Sequence, residues 1–307
     1  MKRGVAVRLI YNQDHARTAP EPPPPEVDWD YIHQLQALGV AARPIPGVPD
    51  LMHHKYVVRD AGTSSGSVLT GSTNWTTDSW TREENLFFSI LSSDVATYYR
   101  ENFEELWSKP LVASSGKFTT AWSKIAVDDG PPANMRPFFC PGRGVQLVHA
   151  MSRSLSLATK RIRICSPVIT AGPLLGTLAE VVQKGLDISG VYDATQMDEV
   201  IRQWGENSMS AWKIEAFKNV VAAVKFGSKR STPWAKGTVH DFMHAKMLVA
   251  DDYVFAGSFN LSHSGEENAE NVVQIQHQGY ADLCAGYIDR VAARYGGPPL
   301  ALGSQSA

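Results

Sequence analysis

Histidine and lysine stand two residues apart in two places, His53-His54-Lys55 and His244-Ala245-Lys246. Each pair opens an apolar run that ends in an aspartate, Asp60 or Asp251. Each run is followed by Gly-Ser-x-Asn, as Gly71-Ser72-Thr73-Asn74 and Gly257-Ser258-Phe259-Asn260. On an extended strand, residues two apart share a face, so each segment sets an imidazole beside an ammonium. That combination suits a phosphodiester, which is anionic and resists nucleophilic attack. Lys55 and Lys246 are expected to neutralise its oxygens, and Asn74 and Asn260 to donate further hydrogen bonds, with Ser72 and Ser258 as substrate contacts. A neutral imidazole can attack phosphorus and split the reaction through a covalent phosphohistidine. The other imidazole, protonated, gives its proton to the leaving oxygen and then activates water or an alcohol.

A carboxylate follows each motif. The second half has Asn268-Ala269-Glu270-Asn271, and the first has Arg82-Glu83-Glu84-Asn85. Glu84 lies as far beyond Asn74 as Glu270 lies beyond Asn260, and each precedes an Asn and an apolar strand. Glu84 and Glu270 are therefore expected each to fix the tautomer and direction of one histidine.

Together these residues resemble the HxKxxxxD…GSxN signature of the phospholipase D superfamily, present twice in register, with its Asn-x-Glu-Asn segment after each copy. Arg82 departs from that segment, standing where its first Asn is expected. The resemblance covers essentially the whole chain apart from a linker and the tail. It implies an α/β fold of two repeated halves, each a mixed β-sheet flanked by helices, with a single active site at their pseudo-two-fold interface. One monomer would suffice for one site. The resemblance also implies His53 as nucleophile and His244 as acid/base, although the residues alone leave these roles interchangeable, and it implies that no metal or cofactor is needed. The first reading of the substrate is a phospholipid, hydrolysed or used for phosphatidyl transfer, with a membrane surface as partner. A nuclease acting on DNA or RNA is the alternative, and an inactive truncated fragment or binding module is the third.

Composition bears on that choice. Among 307 residues the formal net charge is -2, whereas proteins that live on nucleic-acid phosphates usually carry a basic excess. Cys140, Cys165 and Cys284 are too few and too widely spaced for a disulfide framework or a zinc site, and read as buried thiols. No stretch is apolar for long enough to span a bilayer, and the opening segment lacks the apolar core of a secretory signal; the compartment stays open. Asp60 and Asp251 read as structural turn residues. His54 and His240 read as incidental or supporting. Trp75, Trp80 and Trp234 read as packing residues with a groove-lining alternative. Lys213, Lys218, Lys225, Lys229, Arg230 and Lys236 form a basic run that is either a solvated face or a steering surface.

The elements that must position the motifs follow from periodicity. In the first half, residues 1–109, a buried strand is expected over Gly4–Tyr11, a proline-rich loop over Ala19–Pro25, a helix from Asp28 or Asp30 to Leu38, and a strand over Val40–Ile45. A hairpin follows over Lys55–Arg59 and Ser67–Thr70, then a strand over Leu86–Ile90 and a helix over Asp94–Trp107. Residues 110–142, rich in Pro, Gly and Ser, read as a linker. The second half, 143–296, should hold helices over Val145–Ala158, Leu174–Lys184, Met197–Gln203 and Ala281–Tyr295. Its strands are expected over Arg161–Ser166, Leu186–Tyr192 and Asn271–Gln276, with a hairpin over Met247–Ala250 and Tyr253–Ala256. The tail, 297–307, reads as disordered. The halves align from Arg3–Asn12 on Lys184–Asp193, and by that comparison roughly 40 residues of the first unit, a strand and a helix, are missing before Arg3.

Overall fold

The computed structural model describes residues 4–13, 29–128, 130–224, 226–233, 238 and 240–297. The first half begins with β1 (Arg8–Asn12), α1 (Trp29–Ala37) and β2 (Ala41–Ile45), and β1 and β2 pair in parallel. It continues through β3 (Tyr56–Arg59), β4 (Ser67–Gly71), α2 (Thr77–Thr81), β5 (Phe87–Leu91) and α3 (Ser93–Ser108). Strands β3, β4 and β5 form an antiparallel meander. Next come β6 (Ser123–Ile125) and β7 (Ala133–Phe139). The second half runs α4 (Gly144–Leu157), β8 (Arg161–Ser166), α5 (Gly172–Val181), β9 (Asp187–Asp193), α6 (Ala194–Gly205) and α7 (Ala211–Ala223). It closes with β10 (Gly227–Lys229), β11 (Met247–Ala250), β12 (Tyr253–Gly257), α8 (His263–Glu267), β13 (Asn271–Gln276) and α9 (Gln278–Arg294). These strands make one mixed sheet in the order β10-β9-β8-β11-β12-β13-β7-β6.

Both faces of that sheet are buried, which is why its central strands read as nearly unbroken apolar runs. Leu248 and Ala250 of β11 face a core built with Leu147 and Met151 of α4, Leu175 of α5 and Phe217 of α7. Met247 and Val249 face the opposite core, where Ile288 of α9 meets Val68, Ile90 and Tyr99 of the first half. The second core is shared, so the two halves fold against each other rather than side by side.

Two expectations change. Residues 110–142 are not a plain linker: β7 pairs with β13 from Asn134↔Gln276 to Phe139↔Asn271, and β6 covers its other edge. The strand hides from a periodicity reading because Pro137 stands inside it; its polar residues are matched across the ladder. Arg136 Nε donates to Gln274 Oε1 at 2.7 Å, and Asn134 Nδ2 to Gln276 Oε1 at 3.4 Å. The first strand starts at Arg8 rather than Gly4 and is only half-buried, with Val5 and Val7 exposed. Helix α7 and strand β10 lie where the sequence showed only a basic run. The proline run, Asp28, Lys225, Trp234, Lys236 and the tail beyond Gly297 lie outside the described residues.

Candidate active site

The histidines do not sit within the hairpin ladders but on the extended segments leading into β3 and β11. Each segment is bonded to the other half. His53 N donates to Ala269 O at 2.9 Å and Ala269 N to Leu51 O at 2.8 Å; His244 N donates to Glu84 O at 3.0 Å and Glu84 N to Phe242 O at 3.1 Å. The residue before each histidine is tied to the end of its own half's first matching strand. Met52 N donates to Asn12 Oδ1 at 2.9 Å, and Met243 N to Asp193 Oδ2 at 3.0 Å. The glycines of the Gly-Ser-x-Asn segments permit a close crossing. A Cβ on Gly71 would lie 2.0 Å from Leu86 O, and one on Gly257 2.0 Å from Asn271 O. No side chain fits there.

The rings are held from across the interface. His53 Nδ1 pairs with Glu270 Oε1 at 2.7 Å, and Glu270 is fully buried. His244 Nδ1 pairs with Asn85 Oδ1 at 3.1 Å, with Glu83 Oε2 at 3.4 Å. In both cases Nδ1 is the ring nitrogen engaged by the other half. Glu84 departs from the expectation. Its carboxylate faces away, accepting from the Tyr295 hydroxyl at 2.6 Å with Arg294 at 3.7 Å. The backbone gives the reason. Ser72 N donates to Leu86 O and Ser258 N to Asn271 O, each at about the same length, so Asn85 stands where Glu270 stands and Glu84 where Ala269 stands. The first half carries one more residue between Asn74 and this position than the second half carries after Asn260. Equal spacing in sequence therefore selected the wrong neighbour.

Ser72 and Ser258 are also placed differently from expectation. Both are fully buried, and their hydroxyls hold the ring acceptors rather than facing outward. Ser72 Oγ donates to Asn85 Oδ1 at 2.7 Å and accepts from Leu86 N at 3.0 Å. Ser258 Oγ donates to Glu270 Oε2 and accepts from Asn271 N at 2.9 Å. Asn271, for which the sequence suggests no role, bolts the halves together: its Nδ2 donates to Thr70 Oγ1 at 2.6 Å and Tyr99 Oη at 3.2 Å, and its Oδ1 accepts from Lys55 N at 3.2 Å.

Lys55 and Lys246 are both buried and converge on the site, each Nζ donating to the carbonyl of its own motif histidine at 3.0 and 2.6 Å. Burial pushes Lys55 down to about 8 against the pull of Glu270 and Glu83. Burial and the nearby Lys55 charge push Lys246 down as well. Glu270 and Glu83 only partly offset the burial of the two ammonium groups, and an anion would add to that compensation. Burial likewise lowers His53, with Glu270 pulling it back up and Lys55 and Lys246 opposing. Burial lowers His244 well below the usual imidazole range, and the charges of Lys246, Lys55 and His53 add to the effect. Asn260 Oδ1 is buried and finds no partner among the described residues. Asn74 is held through its backbone N–H, which donates to Ser79 Oγ at 3.1 Å.

The remaining residues behave as scaffold. Asp251 accepts from the backbone of Thr159, Lys160 and Arg161 at 2.8 to 3.0 Å, at a left-handed φ of 54°. Asp60, at φ 50°, has Arg59 at 3.8 Å. His54 packs against Tyr56 and Phe139, and His240 stacks on Phe242. The half-exposed Trp75 and Trp80 pack with each other and Phe87. The basic run does not form one stripe. Lys213 donates to Thr170 O, Lys218 pairs with Glu215, Lys229 is buried over the Tyr295 ring, and Arg230 pairs with Asp198. All three cysteines are free and buried. Among the described residues no group of three or more His, Cys, Asp or Glu side chains is placed to hold a metal ion, and no helix is long and apolar enough to cross a membrane.

The family model described as "Cardiolipin synthase, PLD-like domain" matches residues 1–107 and 151–292. The chain belongs to the phospholipase D superfamily. It is similar to the mitochondrial cardiolipin hydrolase of Xenopus tropicalis, with 34% identity over 110 residues. That stretch is 35% of this chain and 44% of the relative, so the match spans less than half of the curated protein's length. Among solved structures, the phosphatidylserine synthase of Haemophilus influenzae Rd KW20 superposes on 96% of this chain and 75% of its own, with a TM-score of 0.62 at 16% identity, a likeness of fold. Nuc, a phospholipase D family member from Salmonella typhimurium, covers 53% of this chain and 96% of its own, with a TM-score of 0.39 at 19% identity.

Proposed function

We propose that the chain is a phosphodiesterase acting on phospholipid phosphodiester bonds, by hydrolysis or phosphatidyl transfer, through a covalent phosphohistidine. The observation that carries this reading is the reciprocal pairing across the interface: each histidine's Nδ1 is engaged by a residue of the other half. The pairing orients one Nε2 from each half toward a common substrate, beside two buried lysines. Lys55 and Lys246 neutralise the non-bridging oxygens, and Asn74 and Asn260 hydrogen-bond the phosphoryl group as its geometry changes. One imidazole forms the N–P bond, and the other protonates the leaving oxygen and then deprotonates the incoming hydroxyl.

The lipid reading is favoured over the nuclease one by three features. The matched family and the curated relative are both named for cardiolipin. The net charge is -2. The described members of the basic run are engaged within the chain. The test is incubation in excess EDTA with vesicles of phosphatidylcholine containing cardiolipin or phosphatidylglycerol, alongside a single-stranded oligonucleotide. Release of phosphatidate or a transferred phosphatidyl group, with the oligonucleotide intact, is the expected outcome. Cleavage of the oligonucleotide alone would favour the nuclease reading, and no turnover of either by folded protein would favour the inactive fragment.

A further inference from the structure

The two motif asparagines have unlike neighbours. Leu261 follows Asn260 and is 2% exposed, packed against the loop between β8 and α5. The N–H groups of Thr170 and Ala171 in that loop donate to the Leu261 carbonyl at 2.7 and 2.9 Å. Trp75 follows Asn74 and is 56% exposed, with no such cover among the described residues. Its ring lies 5.7 Å from that of Trp80, and both stand against Phe87. The second half carries exposed apolar groups of its own. Met209, between α6 and α7, is 82% exposed, and Trp212, at the start of α7, is half-exposed. Trp212 and its neighbour Lys213 sit beside the loop that covers Leu261. Lys213 Nζ donates to Thr170 O at 3.0 Å, and a Cβ on Gly172 would lie 3.7 Å from the Trp212 ring.

Apolar side chains exposed singly are ordinary. These stand in two groups, one beside each motif asparagine, and grouped apolar exposure marks a surface that meets another phase or molecule. Of the four tryptophans exposed among the described residues, three are here; the fourth, Trp122, lies under the Arg136 guanidinium at 4.6 Å. Resting on the phospholipid reading above, we propose that Trp75 and Trp80 on one side and Met209 and Trp212 on the other form a rim that seats on a lipid bilayer, so that headgroups enter the site from the surface they lie in.

Three observations select a bilayer as the occupant. The two groups flank both asparagines, so a folded protein seated across them would cover the approach to the site, whereas a bilayer that covers it delivers the substrate. The side chains suit a headgroup boundary, because an indole is apolar over most of its surface and keeps one N–H donor for the polar side. The basic side chains around the second group are neutralised within the chain: Arg202 pairs with Glu199 and Glu206, and Lys218 with Glu215. That group therefore offers a polyanion no surplus of positive charge. Attachment through this rim is by apolar insertion and scales with the apolar area that enters the boundary.

Sedimentation with phosphatidylcholine vesicles, with and without added phosphatidylglycerol and at low and high salt, tests the rim. The wild-type chain should bind both kinds of vesicle, and high salt should not weaken binding, since salt screens charge and not apolar insertion. Trp75→Ser with Trp80→Ser, and Met209→Ser with Trp212→Ser, should each weaken binding roughly tenfold or more, and all four together should weaken it further than either pair. Trp75 and Trp80 also pack on Phe87, so the Met209 and Trp212 pair is the stricter arm, and urea unfolding checks that each variant is folded. The ratio of vesicle-lipid turnover to turnover of soluble bis(p-nitrophenyl) phosphate should fall with binding, the soluble diester correcting for any disturbance of the site. No binding by the folded wild type, binding that needs phosphatidylglycerol and is lost at high salt, or binding that survives all four substitutions would overturn the proposal. So would a dimer that dissociates on the same substitutions, which would seat a second copy on the rim. The parent reading is tested separately. Vesicles bound through the rim but left intact, with an oligonucleotide cleaved, would remove the lipid substrate and leave the docking surface standing.

Discussion

Strands β3 and β11 carry the same motif in unlike surroundings. All four residues of β11 are buried, because β8 pairs with its outer edge from Met247↔Cys165 to Ala250↔Ile162. In β3 the residues alternate between half-buried and exposed. Among the described residues nothing pairs with the corresponding edge, and β1 and β2 form a sheet of their own. The motif aspartates show the same contrast. Asp251 anchors the turn into β8, whereas Asp60 has no matching segment among the described residues. Yet the backbone bonds that tie each histidine to the other half match one for one. The site's geometry is therefore set by bonds between the halves, which are symmetric, and not by the sheet around each motif, which is not.

The contrast predicts unequal costs at equivalent positions. The largest should appear at Leu248 and its counterpart Val57. Leu248 is wholly buried and Val57 is 45% exposed, so Leu248→Ala should cost about 2–5 kcal/mol and Val57→Ala within about 0.5 kcal/mol, by urea unfolding. Similar losses at the two sites would mean that β3 is covered as β11 is.

A smaller gap is expected between the aspartates. Both aspartates hold a left-handed φ, so replacement by Ala adds similar backbone strain at each; Asp251→Ala also removes the acceptor of three turn N–H groups and should cost about 1 kcal/mol more than Asp60→Ala. Burial alone would raise Asp251, but the N–H groups of Thr159, Arg161 and Lys160 hold it below the usual carboxylate range. Its contribution is therefore present above the unfolded value and lost as pH falls through the folded one. Comparing the Asp251→Ala penalty at pH 7 with that near pH 3 checks the sign, and a penalty that grows on acidification would contradict it.

A third difference depends on pH and is at His54, whose counterpart is the buried Ala245. Burial lowers His54 to about 3, so the folded state holds it neutral where the unfolded chain would protonate it. Stability should fall as pH drops below the unfolded value near 6.5, with a slope of at most about 1.4 kcal/mol per pH unit from this group. Measuring stability against pH for His54→Ala should show a shallower acid limb, and an unchanged slope would mean that His54 is solvated.

Much of this was legible in the sequence because the repeat states it twice. Both hairpins and the closing helices α3 and α9 follow from motifs whose spacing is local. What was not legible depends on registry between distant segments. Glu83-Glu84-Asn85 offers adjacent acceptors, and only the crossing of Ser72 with Leu86 selects Asn85 for His244. Strand β7 was hidden because Pro137 stands inside its run and its polar face, Asn134 and Arg136, finds its partners only in Gln276 and Gln274. The serines were misread for a related reason: a hydroxyl beside a catalytic asparagine can face substrate or the buried acceptor behind it, and only the fold decides.

The central claim is that the two halves build one site, and double-mutant kinetics on bis(p-nitrophenyl) phosphate under steady-state turnover test it most directly. Histidines acting on one phosphorus are strongly non-additive. His53→Asn and His244→Asn should each lower steady-state kcat by on the order of 10³-fold or more, and the double variant should fall no further. Two independent sites would instead leave about half the wild-type rate in each single variant and lose activity only in the double, a result that would contradict the account.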